Sequence, residues 1–202
     1  MNQVLVPTAR LERWVDNFRR CHGDATFDVR DRALCGEAAD GSTFVARPPF
    51  DVAYDGEADP AAFAASVGSP ARWGLLLVRK GGFAVARMSG DRIDEHKIGR
   101  RHVQGRTKAG GQSQQRFARR RDNQARQAYE AAAEHAVRLL GSHAMPVVAG
   151  GDRAAVDDVL ADPRLRRLSV TGPWLAVPDP RRAVLDAAIA DALAVRIDVR
   201  NS

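Results

Sequence analysis

The spacing of apolar residues changes several times along the chain. Between residues 8 and 20, Leu11, Trp14, Val15 and Phe18 recur at the i, i+3, i+4, i+7 spacing of one helical face, and His22-Gly23 closes the pattern. Residues 26–35 and 42–47 alternate instead, which predicts two strands around the Asp40-Gly41 turn. Arg47-Pro48-Pro49 stops regular structure. The stretch 51–60, with Asp51, Asp55, Glu57 and Asp59, reads as an exposed connection whose spacing fits no calcium loop, and 60–67 reads as a short helix. Residues 73–79 and 83–88 predict strands joined at Lys80-Gly81-Gly82, and Ser89-Gly90-Asp91 turns into a third strand, 92–98.

The period then disappears. Residues 99–112 hold Gly99, Gly105, Gly110 and Gly111 with no apolar repeat, which predicts a long loop. From Ser113 onward Phe117, Ala125, Ala128, Tyr129, Ala132, Ala136, Val137 and Leu140 trace one helical face up to Gly141. The implied helix of about 27 residues is basic in its first half and alanine-rich in its second. Beyond it the pattern predicts a strand at 146–149, a Gly150-Gly151 turn, a helix at 152–160, a strand at 174–177, a helix at 181–194 after the Pro178–Pro180 break, and a last strand at 195–199. Ala149-Gly150-Gly151 lacks the spacing of a dinucleotide-binding turn. Strands alternating with helices imply an α/β fold: a mixed sheet flanked by helices over 71–202, with a small helix-and-hairpin extension over 1–70.

Composition narrows the class. The 202 residues are 45% hydrophobic, 28% charged and 6% aromatic, which suits one domain, or one domain carrying a small extra piece. The longest aliphatic run, Leu75-Leu76-Leu77-Val78, is far short of the roughly 20 residues of a membrane span. Arg10, Glu12, Arg13, Asp16, Arg19 and Arg20 leave no secretory apolar region at the start. Cys21 and Cys35, the only two cysteines, form neither a disulfide framework nor a zinc site, so the expectation is a cytoplasmic chain with two reduced thiols.

The net charge is +6, but its placement matters more. From Lys97 to Arg126 ten basic residues face one acid, Asp122, giving +9, while the remainder carries 21 basic and 24 acidic residues, or −3. Arginine bias in the genome explains Arg over Lys; it does not remove the acids from one window. A local positive field of this kind is the footprint of a polyanion site.

Inside that window lies Thr107-Lys108-Ala109-Gly110-Gly111-Gln112-Ser113-Gln114-Gln115-Arg116-Phe117-Ala118-Arg119-Arg120-Arg121. A bare Gly-Gly-Gln occurs by chance, but here Ser follows it and an Arg-Phe-Ala-Arg block opens a long helix. In that order and context the segment resembles the central, peptide-releasing domain of eukaryotic and archaeal class-one release factors. From about Arg72 onward the chain is more similar still to the actinobacterial type of the Vms-like release factors. The resemblance implies a release-factor central-domain-like fold and hydrolysis of stalled peptidyl-tRNA on the large ribosomal subunit. No stop-codon-reading motif is visible. The implied partners are peptidyl-tRNA and large-subunit RNA, with no DNA, membrane, metal or cofactor.

Residue types in the motif suit that chemistry. Adjacent glycines Gly110 and Gly111 reach backbone angles closed to other residues and let the chain thread an RNA-walled centre. They aim the Gln112 N–H at the developing oxyanion, a donor worth roughly 3–4 kcal/mol when preorganised. The Gln112 side chain positions water or excludes larger groups; it is neutral and a poor base, and the resemblance implies help from a tRNA ribose hydroxyl. Ser113 also suits a helix N-cap, which does not compete with that role. Arg100, Arg101, Arg106, Lys108, Arg116, Arg119, Arg120 and Arg121 are the candidate phosphate contacts, with Arg116, Arg119 and Arg120 on one helical stripe. His102 is a weaker acid–base candidate; His96, His135 and His143 have no ligand spacing, and Asp157-Asp158 face apart on their helix. Two other functions fit the same residues: cleavage of the tRNA near its 3′ end, or non-catalytic RNA binding.

Overall fold

A computed structural model describes residues 2–100, 127 and 129–202. The fold is mixed α/β and comprises two compact units, Met1–Ser69 with Ile189–Ser202, and Pro70–Ala188. Ile189–Ser202, which the sequence pattern leaves with the C-terminal part, belongs to the first unit.

In the first unit, β1 (Asn2–Val6), β2 (Ala25–Arg30), β3 (Ala33–Ala38), β4 (Thr43–Arg47) and β10 (Val195–Arg200) form one antiparallel sheet in the order β1-β10-β4-β3-β2. The expected hairpin is thus part of a larger sheet, completed by the C-terminal strand. The single strand expected over 26–35 is two strands. Asp31 and Arg32 turn the chain between them with φ of 48° and 60°, and Arg30 pairs with Ala33 across that two-residue turn. Such a turn usually advertises itself through Asn-Gly or Asp-Gly, and no glycine marks it here. Helix α1 (Leu11–His22) lays Leu11, Val15 and Phe18 on the sheet, against Leu34, Phe44 and Ile197. It ends at Gly23, whose φ of 90° suits glycine and whose N–H donates to the Arg19 carbonyl at 2.8 Å.

The acidic connection finds local work. Asp59 caps α2 (Pro60–Ser66), accepting from the Ala62 N–H at 2.7 Å, with Pro60 in the first turn. Asp51 lies 3.5 Å from Arg196 and Asp55 4.0 Å from Arg32.

In the second unit, β5 (Trp73–Arg79), β6 (Gly82–Ser89) and β7 (Arg92–Arg100) make an antiparallel meander. β8 (Met145–Gly151) runs parallel to β5, and β9 (Leu168–Val170) parallel to β8, giving the order β7-β6-β5-β8-β9. Every residue from Trp73 to Val78 is buried, the mark of a central strand covered on both faces. Helix α3, described over 127 and 129–140, buries Ala132, Ala136, Leu139 and Leu140 against Leu76, Val78 and Val85. Helix α4 (Arg153–Leu160) adds Ala155, Val156 and Val159 to the same core. Helix α5 (Arg182–Ala192) contains the boundary between the units.

Gly150-Gly151 lies inside β8 and not in a turn after it, and 174–177 is not a strand. Only Leu175 of that segment bridges to Gly150, between Pro173 and Pro178, which deny the ladder its donors. The three residues of β9 are too few to show a period. No helix among the described residues is long and apolar enough to cross a membrane.

Candidate functional site

Of the residues singled out from the sequence, Arg100 is described: it closes β7 opposite Gly82 and is exposed. Gly110, Gly111, Gln112, Arg101, Arg106, Lys108, Arg116, Arg119, Arg120, Arg121 and His102 lie outside the described residues. The site is therefore built from the frame on either side of residues 101–126.

Strand directions define that frame. β7 runs antiparallel to β6, as β5 does, so β5, β7 and β8 all end at one edge of the sheet. Helix α3 precedes β8 and runs the other way. Its His135 is level with Phe83 at the start of β6, its Arg138 meets Glu95 midway along β7, and its Leu140 packs on Gly74 at the start of β5. Arg100 and the first described residues of α3 are consequently at the same sheet edge.

Three groups fasten β7 to α3. Gly99 faces Phe83 across the β6–β7 pair, and a β-carbon on Gly99 would stand 2.2 Å from the Phe83 ring. Phe83 is thereby free to lie over Gly99 and stack on His135, ring centroids 5.5 Å apart. Farther along, Glu95 pairs with Arg138 of α3 and with Arg87 of β6 at 3.6 Å. The hydrogen bond from Arg138, with the charges of Arg138 and Arg87, holds the Glu95 carboxyl below its ordinary value. His135 is pushed the opposite way: burial first, then the positive charges of Lys97 and Arg138, keep its imidazole neutral. The sequence pattern gave His135 no ligand spacing and Phe83 only a place in its strand; their pairing joins residues 52 positions apart and has no local signature.

At the same edge the end of β8 is closed by backbone. Gly151 has φ 96°, and its β-carbon would fall 2.2 Å from the Val78 carbonyl. Trp174 donates to the Gly151 carbonyl at 3.3 Å and carries the Arg153 guanidinium over its ring at 4.1 Å. The glycine pair therefore serves close chain packing. Trp73 is fully buried and donates to the Gly90 carbonyl at 2.7 Å, while Trp174 is half-buried. Tyr129 keeps its proton, its phenol raised by burial and by the negative charges of Asp152 and Asp158.

The remaining candidates are dispersed. His96 faces Arg182 at 3.4 Å, His143 pairs with Ser142 at 2.7 Å, and Asp157 and Asp158 are exposed. Among the described residues no group of three or more His, Cys, Asp or Glu side chains is placed to hold a metal ion.

Residues 71–198 match the model of the Actinobacteria/chloroflexi VLRF1 release factor family. The chain belongs to that family. The matched span covers the second unit almost from its first residue and continues through α5 into β10. It includes the whole of the basic window and the Gly110-Gly111-Gln112 sequence. A comparison with curated proteins finds no match. Membership makes the chain a release-factor-type protein of translation, in agreement with the resemblance read from its motif.

Proposed function

We propose that this protein hydrolyses the ester between a nascent peptide and tRNA on stalled large ribosomal subunits, without reading stop codons. The observation that carries this reading is Gly110-Gly111-Gln112, followed by Ser113 and Arg116-Phe117-Ala118-Arg119, within the span that matches a release-factor family. The frame supports it. Both flanks of the motif-bearing segment sit at one sheet edge, fastened to each other through Phe83, His135, Glu95 and Arg138. A segment held at both ends by a packed sheet and helix can present its middle to a distant centre while the body stays folded.

In the reaction a water oxygen attacks the ester carbonyl and the bond to the ribose oxygen breaks. The products are a peptide carboxylic acid and a tRNA with its terminal hydroxyl restored. The Gln112 backbone N–H stabilises the oxyanion, and its side-chain amide orders the water. The proton passes through the substrate's own ribose hydroxyl, since a neutral amide is a poor base. Arg100, Arg101, Arg106, Lys108, Arg116, Arg119, Arg120 and Arg121 neutralise RNA phosphates around this centre.

The test is incubation of the protein with stalled peptidyl-tRNA complexes while the peptide and both tRNA ends are followed. Free peptide with an intact tRNA 3′ terminus, lost on Gln112→Ala and on Gly110→Ala, is the expected result. A shortened tRNA would assign nuclease chemistry instead. Release that persists in Gln112→Ala would remove the proposed centre.

A further inference from the structure

A groove on the first unit offers a site independent of the basic window. β1 is an edge strand: it pairs with β10 alone, so one row of its backbone N–H and C=O groups has no ladder partner among the described residues. Beside it stands Trp14 of α1. Trp14 is half-buried, stacked on Phe18 at 5.8 Å and edge-on to Phe44 at 5.2 Å, which fixes its ring. Its indole N–H has no acceptor among the described residues.

Two clefts meet at Trp14. One, of about 370 Å³, lies between Val4, Val199 and Arg200; the other, of about 520 Å³, lies between Val6, Arg10 and Arg13. The first lies over β1 and its partner β10, and the second opens beside the free side of β1 at Leu5 and Val6. Their walls mix valine and tryptophan with Asn2, Asn17 and Asn201, and the rim is cationic. No carboxylate lines either cleft. Arg10, Arg13 and Arg200 have no ion-pair partner among the described residues, whereas Arg30, Arg47 and Arg196 of the same sheet pair with Asp28, Asp198 and Asp51.

We propose that an extended acidic peptide binds at this edge, adding to β1 as a new strand whose cleft-facing side chains, every second residue, set an apolar group on Trp14 and carboxylates on Arg10 and Arg13. Strand addition to an exposed edge draws affinity from main-chain hydrogen bonds and specificity from flanking pockets. The unpaired β1 backbone presents donors and acceptors in strand register, which another backbone matches and a phosphodiester chain, an acceptor only, does not. One face of the Trp14 ring is also already taken by Phe18, which leaves less of it for base stacking.

The test titrates a short Glu-Thr-Val-Thr-Glu peptide, which puts both carboxylates and the valine on one face of the strand, into the isotope-labelled full chain and follows amide and indole NMR signals. Saturable, concerted shifts of the Trp14 indole and of the Gln3, Val4 and Leu5 amides are expected. Arg13→Glu should weaken binding about tenfold or more, while Arg30→Glu, the same charge change on β2 at the far edge of the sheet, should not. Peptides N-methylated at alternate residues should lose binding in one of the two phases, because a ladder uses every second backbone group. The spectra themselves report whether each variant is folded. The proposal is overturned by an absence of shifts at millimolar peptide, by equal binding of the same peptide with Lys in place of Glu, by an equal loss in Arg30→Glu, or by tighter binding of a uridine oligonucleotide at the same signals.

Discussion

The ring of Phe83 occupies the space that a β-carbon on Gly99 would need, at 2.2 Å. The first unit repeats the device, where a β-carbon on Gly36 would stand 2.2 Å from Phe44, its partner on the neighbouring strand. In each sheet an aromatic ring covers a glycine across a strand pair, so the backbone is shielded without a second side chain. In the second unit this contact lies one residue before β7 ends.

Gly99→Ala is therefore expected to displace Phe83 from His135. Overpacking of this kind costs about 1–3 kcal/mol, which a denaturant titration measures. On the proposed function, the rate of peptide release should fall more than binding to large subunits does, because the cations persist while the end of β7 that precedes the motif in the chain is displaced. Ala84→Gly, one residue from Phe83 on the same strand, is a control that alters β6 without filling this contact.

His135 makes stability depend on pH. Its imidazole is held neutral in the fold, below its ordinary value of about 6.5, so the unfolded chain binds the proton more readily. The contribution is neutral above that value, and stability is lost as pH falls through it toward the lower folded value. His135→Phe keeps a ring on Phe83 and removes the proton. Melting curves between neutral and mildly acid pH should show the variant losing less stability than the parent.

Arg32 sits at φ 60° in the two-residue turn between β2 and β3, a left-handed conformation that costs a side-chain-bearing residue about 1–2 kcal/mol. Its side chain makes only a loose 4.0 Å pair with Asp55, both largely exposed, and its carbonyl accepts from the Tyr54 N–H whatever the side chain. Arg32→Gly is expected to stabilise the protein by about 1 kcal/mol, less the added flexibility of the unfolded chain. Chemical denaturation reads it as a higher midpoint with an unchanged slope.

Replacing Arg116, Arg119 and Arg120 together by Gln should weaken binding to large subunits and flatten its salt dependence by about 1–2 in log–log slope between about 50 and 200 mM salt. Gln112→Ala should leave that slope unchanged and abolish release. If the two sets of changes behave alike, binding and chemistry are not divided between these arginines and the motif.

Much of the secondary structure was legible because it is local. The meander of β5, β6 and β7 follows from alternation and glycine turns, α1 from Leu11, Val15 and Phe18, and the α/β class from the order of elements. The turn at Asp31-Arg32 was not legible, because residues without glycine reached left-handed angles under the demand of the flanking strands. β9 was too short to carry a period, and 174–177 had strand composition without room between its prolines to pair.

The sequence by itself determined the motif at 110–112, the concentration of positive charge around it, and with them the family and the chemistry proposed. These are properties of adjacent residues, and no fold is needed to read them. Only the tertiary structure decided that β10 enters the N-terminal sheet between β1 and β4, that both flanks of the motif meet at one sheet edge, and that Phe83 rests on Gly99 and His135. Those relations join residues tens to nearly two hundred positions apart. Backbone pairing and burial choose such partners by shape and register, and neither is written in any short window of the chain.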